Sequence, residues 1–97
     1  EGKIRIVPNK MDGAGGIVIY MRGNHGQSAP VRIFDESGAL VGPLIGTMIG
    51  GDGLGILPFD GRDGQGSPLG PGVYWVVVRS GGVNDRKPFM ILPSGGR

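Results

Sequence analysis

Two carboxylates three residues apart, Asp60 and Asp63, stand in the glycine-bent stretch Asp60-Gly61-Arg62-Asp63-Gly64-Gln65-Gly66. Acids in a bent loop can offer hard oxygen ligands to calcium, and paired acids lining a groove can cleave a glycosidic bond. The stretch lacks a third acidic ligand and a bidentate glutamate, and Arg62 sets a positive charge between the two acids. A plainer reading is that Asp60 and Asp63 accept backbone N–H groups of their own turn and pair with Arg62. On that reading they are weak metal candidates only, and no metal and no cofactor is expected. A thin domain is also expected to give them no substrate groove.

Other chemistry finds less support. His25 is the sole histidine and lies between Asn24 and Gly26, where a solvated loop residue is expected. Ser28, Ser37, Ser67, Ser80 and Ser94 read as loop residues, and none sits in a Gly-x-Ser-x-Gly elbow. A Walker loop needs Gly-Lys-Ser/Thr, but residues 42–51 contain no lysine. Gly64, Gly66 and Gly70 miss the dinucleotide-binding spacing by one residue. No catalytic residue is expected, and the chain is read as not an enzyme.

Composition narrows the elements that must hold these residues. Among 97 residues, 22 are glycine and 8 proline, yet 38% are hydrophobic, so the chain is glycine-rich without being low-complexity. That length suits a single domain, 1–97. Ten Lys/Arg against eight Asp/Glu are scattered singly apart from Arg86-Lys87, without the dense basic stripe of a nucleic-acid module. Zero cysteines exclude a disulfide framework and a thiol nucleophile. Gly42, Gly46 and Gly50 carry a membrane-helix packing spacing, but the uncharged run of residues 40–51 is too short to span a bilayer. No membrane insertion is expected. Nothing at the start reads as a signal peptide, and Glu1 in place of Met suggests a processed chain or a module of a longer protein.

The apolar residues fall in short runs broken by glycine, with no sustained helical period. Seven strands are expected, at 3–7, 17–22, 31–35, 40–45, 54–59, 73–79 and 89–92, separated by turn dipeptides such as Asp12-Gly13, Ser37-Gly38, Asp52-Gly53 and Asp60-Gly61. The fold class is all-β, an antiparallel β-sandwich. Pro58 and Pro88 demote their runs to edges or bulged ends. In 73–79 both faces are apolar: Tyr74, Val76 and Val78 on one, Val73, Trp75 and Val77 on the other. Such a strand is central and covered twice, or its outer face awaits a partner.

Several fragments, in order, resemble the Ig-like domain of the flagellar hook-capping protein family: Val31-Arg-Ile-Phe-Asp-Glu-Ser-Gly38, Leu40-Val41, Phe59-Asp-Gly-Arg-Asp63, Gly66, Gly72-Val-Tyr74 and Arg86-Lys-Pro-Phe-Met-Ile-Leu92. The opening Ile6-Val-Pro-Asn9 and residues 16–20 are similar to that family's first two strands, so the likeness runs along nearly the whole chain. This module recurs at the C-termini of secreted and surface bacterial proteins, including type IX secretion sorting modules. The resemblance implies an Ig-like sandwich, extracellular or at the cell surface, with no catalytic residues. It also assigns Asp60, Gly61, Arg62, Asp63, Gly66, Gly72 and Tyr74 to a structural signature.

The chain departs from that pattern in two places: Lys10-Met11-Asp12-Gly13 replaces an aromatic-rich opening, and Trp75 and Val77 make the outer face of the central strand apolar. That apolarity marks Phe34, Trp75 and Val77 as a docking surface, unless a loop such as 46–53 folds over Trp75. The function expected is a structural or assembly module working through protein–protein contact, including self-association as a fibre or appendage subunit. The alternatives are an accessory carbohydrate-binding sandwich, with Trp75, Tyr20 or Tyr74 as stacking platform, and a secretion-sorting module.

Overall fold

A computed structural model of the chain describes residues 3–12, 16–42, 45–80 and 83–93. Gly13 of the expected Asp12-Gly13 turn, residues 43–44 of the expected 40–45 strand and Ser94 lie outside them. Eight strands form: β1 (Ile4–Val7), β2 (Lys10–Asp12), β3 (Ile17–Arg22), β4 (Ser28–Asp35), β5 (Ile45–Met48), β6 (Leu54–Phe59), β7 (Gly72–Ser80) and β8 (Val83–Leu92). There is no helix among the described residues. The strands make two sheets, three-stranded β1-β3-β6 and five-stranded β2-β8-β7-β4-β5. The domain measures 45 × 25 × 22 Å.

Alternation decides what faces inward. Ile4 and Ile6 of β1 and Ile17, Ile19 and Met21 of β3 are buried from one sheet, while Val31 and Ile33 of β4 and Tyr74, Val76 and Val78 of β7 are buried from the other. They form one core cluster. Phe89 of β8 links the two layers: its ring stacks on Tyr74 at 5.6 Å and meets the edge of Phe59, from the opposite sheet, at 6.2 Å. The Tyr74 hydroxyl donates to the Gly70 carbonyl at 2.7 Å, tying the chain's approach to β7 onto the core in the manner of a tyrosine corner. Burial, and then the charge of Asp35, raise the Tyr74 pKa, so this hydroxyl keeps its proton.

Four expectations need correction. Of the expected 40–45 strand, Leu40 makes only an isolated bridge with Phe34, and Ile45 opens the strand Ile45–Met48. Lys10-Met11-Asp12 forms a strand that pairs parallel with Met90–Leu92, so one pairing of the sandwich is parallel and the described residues form eight strands. Strand β8 runs ten residues and lies between β2 and β7, although Pro88 marks it as an edge. Because β2 reaches only Met90 to Leu92, one side of β8 is open at Pro88, and a residue without an N–H costs no ladder bond there. Finally, Ser28 opens β4 and Ser80 closes β7, so neither is a loop residue. Pro58 does lie on an edge strand, β6.

One carboxylate joins the two sheets. Asp85 of β8 accepts the backbone N–H groups of Lys3 at 2.7 Å and Ile4 at 3.1 Å, closing the start of the β1 edge. Burial pushes the Asp85 pKa up, but N–H bonds from Ile4, Arg86 and Lys3 and the charge of Lys87 outweigh it, and the net shift is downward. A group with a depressed folded pKa contributes stability that is whole above its unfolded value of about 3.9 and fades as pH falls through the folded value. Urea midpoints measured from pH 6 to pH 2.5 should therefore show a loss below about pH 4 that is smaller in Asp85→Asn. Identical pH curves would remove Asp85 from this role.

Candidate functional site

The 60–66 stretch folds as a small hairpin that continues to β7. Arg62 bridges Pro68 across it, and Leu69 donates its N–H to the Gly61 carbonyl at 2.9 Å. Asp60 Oδ1 accepts the Arg62 N–H at 3.1 Å, and its other oxygen lies 3.9 Å from the Arg62 guanidinium. Arg62 reaches on to the Gly66 carbonyl at 2.8 Å. Asp63 Oδ1 accepts from Gln65 N–H and Ser67 N–H, each at 2.9 Å.

The same turn occurs elsewhere in the chain, which identifies what Asp63 is for. In Asp35-Glu36-Ser37-Gly38-Ala39, Asp35 Oδ1 accepts from Ser37 N–H at 2.9 Å and Ala39 N–H at 3.0 Å. Asp35 N–H donates to the Ala39 carbonyl and Gly38 N–H to the Asp35 carbonyl, as Asp63 N–H does to Ser67 and Gly66 N–H to Asp63. Gly38 and Gly66 both sit at positive φ, +90° and +86°, the left-handed conformation that closes such turns. Residues 50–54 repeat the backbone pattern, with Gly53 at +79° and Asp52 accepting the Leu54 N–H at 3.0 Å. Asp35 itself is held below the usual carboxylate range, first by the Ser37 hydroxyl and then by the Ala39 N–H. The Asp-x-x-Gly-x spacing shared by residues 35–39 and 63–67 is the sequence signal of this turn.

Of the remaining signature residues, Gly61 is buried, Gly72 opens β7, and Tyr74 is in the core. Asp60, Arg62 and Asp63 do line an open groove of about 850 Å³ with Val7, Val18 and Pro58. This corrects the expectation that the domain has no groove beside them. One oxygen of each acid accepts turn N–H groups, which holds the shape of the hairpin. Among the described residues no three His, Cys, Asp or Glu side chains gather as a metal set. His25 is exposed in a turn. Asp63→Ala is expected to cost about 1 kcal/mol, read as a melting point lower by several degrees, and calcium or chelator should move neither protein. A calcium-dependent rise in melting temperature, lost in Asp63→Ala, would reinstate a metal site.

The second candidate is the outer face of the five-stranded sheet. Register places Trp75 between Phe34 of β4 and Pro88 of β8, and Val77 between Arg32 and Arg86. Phe34, Trp75 and Val77 are all half-buried. Trp75 is not covered by the 46–53 loop as one expectation had it: 45–48 forms β5 at the sheet edge beyond β4, and Ile49 turns into the core. The group over its ring is the Arg86 guanidinium, 5.1 Å from the ring centroid.

No family model matches this chain. No curated protein matches it either. A solved structure does. It is PorZ of Porphyromonas gingivalis, described as an essential bacterial surface component of the type-IX secretion system. The match covers 92% of this chain at 20% identity, with a TM-score of 0.60. This chain spans only 11% of that protein. The likeness establishes the fold, an all-β sandwich also found within a much longer surface protein.

Proposed function

We propose that this chain is a non-catalytic structural or assembly module of a bacterial secreted or cell-surface protein, acting through protein–protein contact. The observation that carries this reading is the outer face of β4-β7-β8, where Phe34, Trp75 and Val77 lie side by side and half-exposed. Trp and Arg anchors in an otherwise flat face are what protein interfaces concentrate. The Ig-like resemblance and the fold shared with a surface component of a secretion system favour an extracellular or cell-surface setting. Service as a fibre or appendage subunit is the specific form of this reading. Sheet completion at β1 is narrowed by Asp85, which already takes the N–H groups of Lys3 and Ile4.

Sugar binding is the weaker reading. Tyr74 is buried in the core, and Arg86 occupies a face of Trp75 that a sugar would need. Photo-crosslinking in the producing cell tests the reading, with a benzophenone side chain placed at Trp75, at Val77 and, as reference, at Ile56 of the opposite sheet. Protein adducts from the first two positions and not the third are expected. Failure to form adducts at any of them would defeat it, and glycan-array binding lost in Trp75→Ala would favour sugar recognition instead.

A further inference from the structure

Most of the described carboxylates stand at turns, Glu36 among them, while Asp12 closes β2 of the five-stranded sheet. Asp35, Asp52, Asp60 and Asp63 lie in turns, each accepting a backbone N–H two residues on, and Asp85 points to the β1 edge. The outer face of the five-stranded sheet carries four exposed cations, Lys10, Arg32, Arg79 and Arg86, against two on the strands of the three-stranded sheet, Arg5 and Arg22. No described carboxylate side chain lies within ion-pair distance of any of them. Arg79 donates to Asn84 at 2.9 Å and Arg86 covers Trp75.

We infer that this face, on the reading proposed above, takes an acidic extended segment of a partner protein in which carboxylates flank an apolar side chain. Adjacent strands lie about 4.8 Å apart. Arg32 and Arg86, one strand either side of Val77, are thus rooted about 10 Å apart across an apolar centre. Same-facing residues of an extended segment recur every 6.6–6.8 Å or so. An acid–x–apolar–x–acid pattern therefore lays its apolar residue near Trp75 and Val77 and brings each acid within reach of a long arginine arm. A second copy in face-to-face pairing is disfavoured, because it sets the same cations against one another.

The probe is a fluorescein-labelled peptide, Gly-Glu-Ser-Phe-Ser-Glu-Ser-Leu-Ser-Glu-Gly, titrated onto the ¹⁵N-labelled 97-residue chain. Saturable binding is expected, with amide shifts confined to β4, β7 and β8. The Arg32→Glu, Arg86→Glu double variant should bind at least about tenfold more weakly, as should a peptide with lysine for glutamate. Affinity should also fall between 0.1 M and 1 M salt, as the screening length shrinks from about 10 to 3 Å. The milder Arg32→Gln, Arg86→Gln pair, checked for an unchanged melting temperature, guards against a folding defect.

Equal binding of the lysine peptide overturns the inference, as do equal binding of a peptide with serine for Phe and Leu, shifts mapped to the three-stranded sheet, or no binding at millimolar peptide. If the peptide fails while Trp75 still yields adducts in the cell, the docking face stands and its acidic partner falls. Loss of both removes the wider reading as well.

Discussion

Phe89→Ala should cost about 3–5 kcal/mol, the range for deleting a buried aromatic ring. Phe89 is 2% exposed and touches Tyr74 in its own sheet and Phe59 in the other. Its removal takes away an inter-sheet contact and leaves a cavity walled by two rings that strand pairing holds in place. A domain of this size has about 5–15 kcal/mol in total, so much of its stability is at stake. The melting point should drop by more than about 10 °C, while Phe89→Leu, which keeps most of the volume, should lose far less. A urea-derived loss below about 1 kcal/mol would mean that the two layers do not depend on this ring.

Gly42→Ala is the second large effect, expected at about 1–3 kcal/mol from overpacking. The N–H groups of Val41 and Gly42 both donate to the Ile33 carbonyl, at 2.9 and 3.3 Å, which presses this backbone against β4. A methyl group on Gly42 would stand 2.8 Å from Ile33 Cβ and 2.9 Å from its Cγ1. Ile33 is fully buried and branched at the offending carbon, so no rotamer change clears the space. Gly64→Ala, with nothing within 4 Å of the added carbon, serves as the control and should stay within about 0.5 kcal/mol of the parent. Equal melting curves for the two variants would show that the 41–42 backbone can move away from β4.

How far such features were legible in the sequence depended on whether local pattern or distant pairing fixed them. Residues 17–22 and 73–79 announce their strands and which side chains share a face, because alternation is a local property, but with both faces of 73–79 apolar the inward one is set by the packing of the sheets. Strand β2 is three residues with one apolar side chain, Met11, and owes its existence to β8 about eighty positions later. No window of sequence contains that partner. Only the apolar end of strand β8 is legible in the sequence; its polar half, through Asn84, Asp85 and Arg86, is extended because β7 lies alongside it.

Hydropathy drew the fifth strand onto Leu40 and Val41, whereas β5 contains a glycine and is partly exposed. The candidate site divides in the same way. Alternation gave Trp75 and Val77 a common face, but placing Phe34 beside Trp75 required the β4/β7 register. Arg86 could not be set over the indole before β8 was extended past Pro88.

The parallel pairing of β2 with β8 has a mechanical side. Strands β2 and β8 run in the same direction, joined at three residue pairs and by the bond from Met90 N–H to the Asn9 carbonyl. Tension that reaches β2 at Lys10 and β8 at Leu92 would pull these strands lengthwise past each other. The bonds between them would then bear the load together, in shear, and would not unzip in turn.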